Sequence, residues 1–298
     1  VSKVRCEDAS ATSSESNRED EATFLGQCPK RQVWVPKIPY PAWDYNWDGK
    51  MTKETSLEGR KASKGAKVPG VTRHVILIRH GQYDETHQED EKRKLTKLGR
   101  EQAELTGKRL ATLLQGGKDE KLFGRCKIKI IRVSDMTRAK ETAEIISKYL
   151  PDVDVAEPDC LLNEGIPAQV IPIRPELGVE KAYDQNHEAI ESAFQKYFYR
   201  STVELPTKNE EDNDDAEEKQ YDHEFEIIVG HGNVIRYFFC RALQLPPEAW
   251  LRLSIFNCSM TYIMVNPSGT ASCRFVGDIG HLGYEHSTFS MFHGFTWG

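Results

Sequence analysis

Residues 74–81 read HVILIRHG, a continuous apolar run that ends in arginine, histidine and glycine. An unbroken apolar run of this length is typical of a β-strand that is covered on both faces. Open α/β sheets bind ligands at the carboxyl ends of their strands, which is where the polar residues of this run fall. The stretch therefore predicts a central strand with a binding site at its end.

Strands and helices alternate outward from this run. Further strands are predicted at 127–133, 152–156, 224–230, 259–265 and 271–277. Helices are predicted at 97–115, 137–149, 179–200 and 233–243. This alternation implies a three-layer α/β/α sandwich with a mostly parallel central sheet. The last two strands predict a hairpin around Asn266–Gly269.

Composition excludes several classes of protein. The 298 residues carry a net charge of −6, and no basic stripe is present, which argues against a nucleic-acid partner. Seven scattered cysteines without C-x-x-C spacing predict neither a disulfide framework nor a zinc site. No apolar run reaches the roughly 18 residues that a membrane span needs. Because the sequence begins at Val1, we expect that a leader with targeting information precedes it.

Titratable or charged groups follow predicted strands at four places along the chain. Arg79 and His80 end the first strand, and Arg138 lies in the first turn of a predicted helix. Glu164 lies in a short loop, and His231 opens another helix. Taken singly, each has an ordinary explanation, such as a solvated arginine or an exposed loop glutamate. Together they suit phosphate chemistry, because guanidinium groups and helix N-termini bind phosphate oxygens and a neutral imidazole is a nucleophile.

These residues lie in recognisable motifs: RHG at 79–81, SDMTRAKET at 134–142, LNEG at 162–165, and the later His231. Over about residues 74–278 the sequence resembles the phosphoglycerate mutase branch of the histidine phosphatase superfamily. The resemblance implies a phosphoglycerate mutase-like fold and catalysis by His80, Glu164 and His231. It also implies that Arg79, Arg138 and His231 bind phosphate, with His80 phosphorylated and Glu164 as general acid. No metal ion and no cofactor is expected.

A narrower resemblance, to the mitochondrial serine/threonine protein phosphatases of this branch, rests on 95–111, 230–261 and the segment WDYNWD at 43–48. It implies phosphoprotein substrates and a mitochondrial location at the outer or inner membrane. Membrane contact is expected only through a leader that is absent from this chain. It further implies a homo-oligomer, with dimers building larger rings, assembled and activated through Trp43, Asp44, Asn46, Trp47 and Asp48. Alternatively, this arm packs on its own domain.

Three regions are expected along the chain: a disordered leader at 1–30, a Trp/Pro-rich multimerisation arm and linker at 31–70, and a histidine phosphatase domain at 71–298. Within the last, residues 204–224 are expected to form an exposed acidic loop, since 210–218 hold seven acids in nine positions.

Two other functions stay open. The first is a small-molecule phosphatase or mutase. The residues after RHG argue against it, because sugar-phosphate mutases carry Glu-Ser and a following Asn there, whereas this chain has Gln82-Tyr83-Asp84. The second is an assembly scaffold in which catalysis is secondary.

Overall fold

The structure is a computed structural model that describes residues 43–53, 55–62, 68, 70–117, 126–173, 179–201 and 223–289. The chain divides into the units 1–42 and 43–298, and every described residue belongs to the second. The predicted leader (1–30), the beginning of the arm (31–42) and nearly all of the acidic loop (204–222) lie outside the described residues.

A five-stranded sheet forms the centre of the described chain. Its strands are β1 (Thr72–Arg79), β2 (Cys126–Val133), β3 (His223–Gly230), β4 (Met260–Val265) and β5 (Ala271–Asp278). The spatial order is β2-β3-β1-β4-β5, with β1, β2 and β3 parallel and β4 antiparallel to both of its neighbours. The sheet is therefore mixed, and β4 alone runs against the other four. The predicted α/β fold is confirmed.

The described residues contain five α-helices: α1 (Leu57–Ala62), α2 (Lys97–Gly117), α3 (Thr137–Ser147), α4 (Val179–Tyr197) and α5 (Gly232–Ala242). Short 3₁₀ helices lie at Asp90–Lys92, Cys160–Leu162, Pro247–Arg252 and Tyr284–His286. Within the described ranges, each helix is too short or too polar to cross a bilayer.

Helices cover both faces of the sheet. On one face, Val75 and Leu77 of β1 belong to a core that includes residues of α4 and α5. On the other face, Ile76 and Ile78 belong to a core that includes residues of α2 and α3. Alternate side chains of one strand thus enter different cores, which explains why β1 reads as a continuous apolar run. The three layers are the predicted sandwich.

The prediction of a strand at 152–156 is wrong. This segment makes one isolated bridge, between Val155 and Ile131 at the outer edge of β2. Val155 is 45% exposed, so its apolar side chain has no core to enter and the pairing does not extend.

Candidate active site

His80 follows β1 directly and is held from both neighbouring strands' ends. Its backbone N–H donates to the Gly230 carbonyl at the end of β3, at 2.9 Å. Its carbonyl accepts from the Asn257 side-chain amide, just before β4, at 3.2 Å. The side chain is only 2% exposed. These bonds fix the backbone of residue 80 at the carboxyl end of the parallel strands.

The hydrogen bonds of the His80 ring define its protonation state. The Nδ1 atom lies 2.9 Å from the carbonyl oxygen of Gly81, which can only accept, so Nδ1 carries the proton. The Nε atom of Arg138 can only donate, and it lies 3.2 Å from Nε2 of His80. The ring is therefore neutral. Its Nε2 lone pair is directed at the Arg138 guanidinium group, and this cation would also attract a bound anion.

Gly81 is required for packing. A Cβ atom at this position would lie 2.5 Å from the Gly99 carbonyl oxygen in the first turn of α2. The glycine thus lets α2 approach the loop that follows His80.

Arg138 lies in the first turn of α3 and is 3% exposed. Its guanidinium group lies over the Tyr83 ring, 4.7 Å from the centroid, and 3.3 Å from a carboxylate oxygen of Asp90. The other oxygen of Asp90 accepts from the backbone N–H and hydroxyl of Thr137, at 2.8 and 2.9 Å. Asp90 and Tyr83 therefore fix Arg138 beside His80.

Arg79 and His231 each present a buried nitrogen atom without a partner among the described residues, namely Nε of Arg79 and Nδ1 of His231. Arg79 donates through Nη1 to the Ile255 carbonyl, at 2.7 Å. The His231 ring lies 5.1 Å from the His80 ring, centroid to centroid. Unpaired buried polar atoms are costly, so their position here marks a place for a polar ligand.

The Nε2 atom of His231 is fixed by Ser134 and Asn163. It lies 2.8 Å from the Ser134 hydroxyl, which donates to Asn163 Oδ1 at 2.7 Å. The backbone N–H of Asp135 also donates to Asn163 Oδ1, which confirms that this amide atom is an acceptor. The hydroxyl proton is thus used on Asn163, and His231 carries its proton on Nε2.

Glu164 is partly buried in the loop after the 3₁₀ helix Cys160–Leu162, and its Oε1 atom accepts from the Gly165 N–H at 3.2 Å. Burial raises the pKa of Glu164, against the opposing charges of Arg138, Arg79 and Arg236. A raised pKa favours the protonated carboxyl group that a general acid needs.

Burial, followed by the charge of Arg138, holds the pKa of His80 well below its ordinary value. The same two causes hold the pKa of His231 well below its ordinary value. Both imidazoles are therefore neutral at neutral pH, in agreement with the hydrogen bonds.

The structure brings together all five residues that the sequence singled out at this site: Arg79, His80, Arg138, Glu164 and His231. Sequence reasoning missed further residues of the site, namely Tyr83, Asp90, Arg236 and Asn257, and quoted Ser134 and Asn163 only as parts of motifs. In the described part of the chain, His, Cys, Asp and Glu side chains form no cluster of three or more that could hold a metal ion.

The predicted multimerisation residues pack on their own chain. The indole N–H groups of Trp43 and Trp47 both donate to the Gly269 carbonyl in the β4–β5 turn, at 3.3 and 2.8 Å. The Asp48 carboxylate pairs with Arg200, with 2.6 Å between Oδ1 and Nη2. Both side chains are buried, at 1% and 0% exposure. We call residues 43–48 the tryptophan segment.

Asp44 and Asn46 fold this segment. Asp44 exchanges hydrogen bonds with Gln244, which follows α5, at 2.7 and 2.8 Å. Its carboxylate accepts from the backbone N–H of Asn46 at 2.7 Å, and Asn46 Oδ1 accepts from the N–H of Met51 at 3.0 Å.

An α/β/α sandwich with a buried neutral histidine beside the guanidinium group of Arg138 defines an anion site. The sequence profile of the histidine phosphatase superfamily (branch 1) matches residues 75–276. The chain belongs to this superfamily.

Proteins with similar sequences show which members of the superfamily this chain resembles. The mitochondrial serine/threonine-protein phosphatase PGAM5 of Xenopus laevis is 42% identical over 258 residues, which cover 82% of each chain. Mitochondrial Pgam5 of Caenorhabditis elegans is 41% identical over 262 residues, 82% of this chain and 80% of that one. A crystal structure of phosphoglycerate mutase from Plasmodium falciparum is 35% identical, covers 74% of this chain and 99% of that one, and has a TM-score of 0.44. The chain is thus a mitochondrial phosphatase of this superfamily, similar to PGAM5.

Proposed function

We propose that the chain is a serine/threonine protein phosphatase that works through a phosphohistidine at His80, without a metal ion. The observation that carries this proposal is the state of the His80 ring. Its Nδ1 proton is held by the Gly81 carbonyl, and its Nε2 lone pair faces the guanidinium group of Arg138.

In the first step, the Nε2 lone pair of His80 forms a bond to phosphorus while the bond to the serine or threonine oxygen breaks. Glu164, in its protonated form, gives its proton to the departing oxygen. Arg79 and Arg138 stabilise the charge on the phosphoryl oxygens, which is the main contribution to catalysis of such transfers.

In the second step, water attacks phosphorus and the bond to Nε2 breaks. Glu164, now a carboxylate, takes the proton of the water and returns to its starting state. The unpartnered Nδ1 of His231 supports a further contact with a phosphate hydroxyl, or with a phosphate oxygen once the ring is protonated.

Trapping of the intermediate tests this mechanism. The chain is mixed with a phosphoserine peptide, quenched in alkali, and digested for mass spectrometry. We expect one phosphoryl group on His80, stable in alkali and lost in acid, as a phosphorus–nitrogen bond requires. The proposal would be contradicted by phosphate on another side chain. It would also be contradicted if the chain hydrolysed the peptide and no phosphorylated residue could be trapped. A higher kcat/KM on phosphoglycerates than on phosphopeptides would favour the small-molecule alternative.

We also propose that the tryptophan segment assembles copies of the chain and activates them. Its socket (Arg200, Gln244 and Gly269) contains a fully buried arginine that needs a carboxylate partner. The contacts now made within one chain could equally be made to a neighbouring copy, as in exchange of an element between protomers. The link to catalysis is α5, since Gln244 follows this helix and His231 precedes it.

Replacement of Trp43 and Trp47 together by alanine tests this second proposal. Loss of both indoles should remove the larger species in sedimentation velocity and lower kcat/KM on phosphopeptides roughly tenfold, a common size for coupling between sites. Tyr284→Ala, which removes an aromatic ring that is 97% exposed, is the control and should change neither. If the larger species disappear while kcat/KM is unchanged, the segment assembles the chain without activating it.

A further inference from the structure

Arg236 is a third buried guanidinium group near the site, and the mechanism above does not use it. It lies in α5, more than one turn after His231, and is 5% exposed. Burial, followed by the charge of Arg79, lowers the pKa of Arg236 to about 10, which still leaves it charged at neutral pH. Burying a cation costs free energy, so Arg236 needs contacts that compensate for its burial.

Arg236 determines the orientation of the Asn233 side chain. Its Nη1 atom donates to Asn233 Oδ1 at 2.9 Å. Since a guanidinium group can only donate, the oxygen of this amide must face Arg236. The amide nitrogen then faces the other way, where it donates to the Gly165 carbonyl at 3.2 Å.

Gly165 follows Glu164, so this bond acts on the loop that carries the proposed acid. The same loop is held from α4, where Asn186 Oδ1 accepts from the Ile166 N–H at 3.1 Å. We call these two hydrogen bonds, from Asn233 on α5 and from Asn186 on α4, the clamps of the loop. They differ in charge, because of the two only the clamp from α5 is attached to a cation near the Glu164 carboxyl group, namely Arg236. The clamp from α5 can thus act on both the position and the proton of Glu164.

We propose that Arg236 and Asn233 are positioning residues that hold the Glu164 carboxyl at the leaving oxygen, so that substrates with strongly basic leaving groups can react. This inference rests on the proposed role of Glu164 as acid. Such substrates are alkyl phosphates, including phosphoserine and phosphothreonine, whose alkoxide oxygen must receive a proton as the bond to phosphorus breaks. An acidic phenol leaves without that proton.

The test compares the phosphorylation step for two leaving groups. Single-turnover formation of the phosphoenzyme is measured with a phosphoserine peptide and with p-nitrophenyl phosphate, in Arg236→Met and Asn233→Ala. We expect each variant to lose about 10²-fold with the peptide, since misplacement of a reacting group by about 1 Å costs that much. With p-nitrophenyl phosphate the loss should stay below about threefold, because the proton of Glu164 is then not needed.

The pH dependence separates the two residues. The rate with the peptide should fall as pH rises through the pKa of Glu164, whose charged neighbours are Arg79 at the end of β1, Arg138 on α3 and Arg236 on α5. Removal of a cation makes the carboxylate less favourable, so Arg236→Met should shift this falling limb to higher pH. Asn233→Ala and Arg236→Lys keep the charge and should leave the limb in place.

Arg241→Met is the matched control, because Arg241 lies on the same helix but pairs with Glu191 and should give wild-type rates with both substrates. Thermal unfolding shows whether each variant is folded. If Arg236→Met does not fold, Asn233→Ala carries the comparison of the two substrates. Equal losses with both substrates, or no loss with the peptide, would overturn the inference. Failure of the proposed function is seen separately, as wild-type chain that forms no phosphohistidine with either substrate, and it would overturn this inference as well.

Discussion

Replacement of His80 by alanine should abolish phosphatase turnover and leave the chain folded. Removal of the residue that accepts the phosphoryl group is expected to lower kcat by roughly 10⁴-fold or more, as loss of a covalent nucleophile does in other enzymes. The backbone contacts of residue 80, to Gly230 and Asn257, do not involve the ring and should survive the change. Initial rates on a phosphoserine peptide measure the effect.

The same variant should still bind inorganic phosphate, because Arg79 and Arg138 remain, and titration calorimetry can measure this. His87→Ala is the control, since His87 is 45% exposed and contacts only Asp84 among the described ion pairs. Its rate should equal that of the unmodified chain. A His80→Ala protein that is folded, binds phosphate and turns over normally would rule out the covalent mechanism.

The sheet was predictable because burial on two faces leaves a plain pattern in the sequence. HVILIR and EFEIIVG became β1 and β3, which pair in parallel at the centre. The antiparallel pairing of β4 with β5 followed from the short turn at Asn266–Gly269, since a connection of this length joins antiparallel strands. The strand expected at 152–156 failed because only one of its valines meets a core: Val153 packs against the core beside α2 and α3, whereas Val155 is 45% exposed.

The candidate site was predictable where residues follow strands, and less so elsewhere. His80 and His231 come directly after β1 and β3, so the topology alone places them side by side. Arg236 and Asp90 carry no such signal. A helical arginine most often lies in solvent, and the contact between Asp90 and Arg138 joins residues 48 apart in the chain. Only three-dimensional packing shows that these residues face the site.

The tryptophan segment illustrates a different limit of sequence reasoning. Its residues indicate a binding element, since tryptophan is enriched among the residues that anchor interfaces. The sequence gives no information on the partner surface, however, because Arg200, Gln244 and Gly269 are scattered along the chain. The structure shows that one carbonyl group accepts from both indoles and that one arginine receives the acid.

Asp48 should therefore carry a large share of the stability of this docked segment. Asp48→Ala would leave Arg200 buried and unpaired, a change that typically costs about 3–5 kcal/mol in the free energy of unfolding. For a chain of this size, that loss lowers the unfolding midpoint by roughly 6–20 °C. Calorimetry or circular dichroism measures it.

Two further variants separate pairing from burial. Asp48→Ala combined with Arg200→Met removes both charges and should recover most of the loss, because no buried cation remains unpaired. Glu144→Ala is the control, since Glu144 pairs with Lys148 on the exposed face of the chain, and it should cost less than about 1 kcal/mol. A loss in Asp48→Ala as small as that of the control would contradict the role given to this ion pair.

The effect of Asp48 should also depend on pH. Burial alone would raise the pKa of Asp48, but the hydrogen bonds from Arg200 outweigh it and hold the pKa below its ordinary value. A carboxyl group with a lowered pKa stabilises the folded state above its unfolded pKa and loses that contribution as pH falls through the folded value. The difference in stability between wild-type chain and Asp48→Ala should therefore shrink on acidification. If a neighbouring copy supplies the carboxylate, the difference should also grow with protein concentration, because the ion pair then forms only in the assembly.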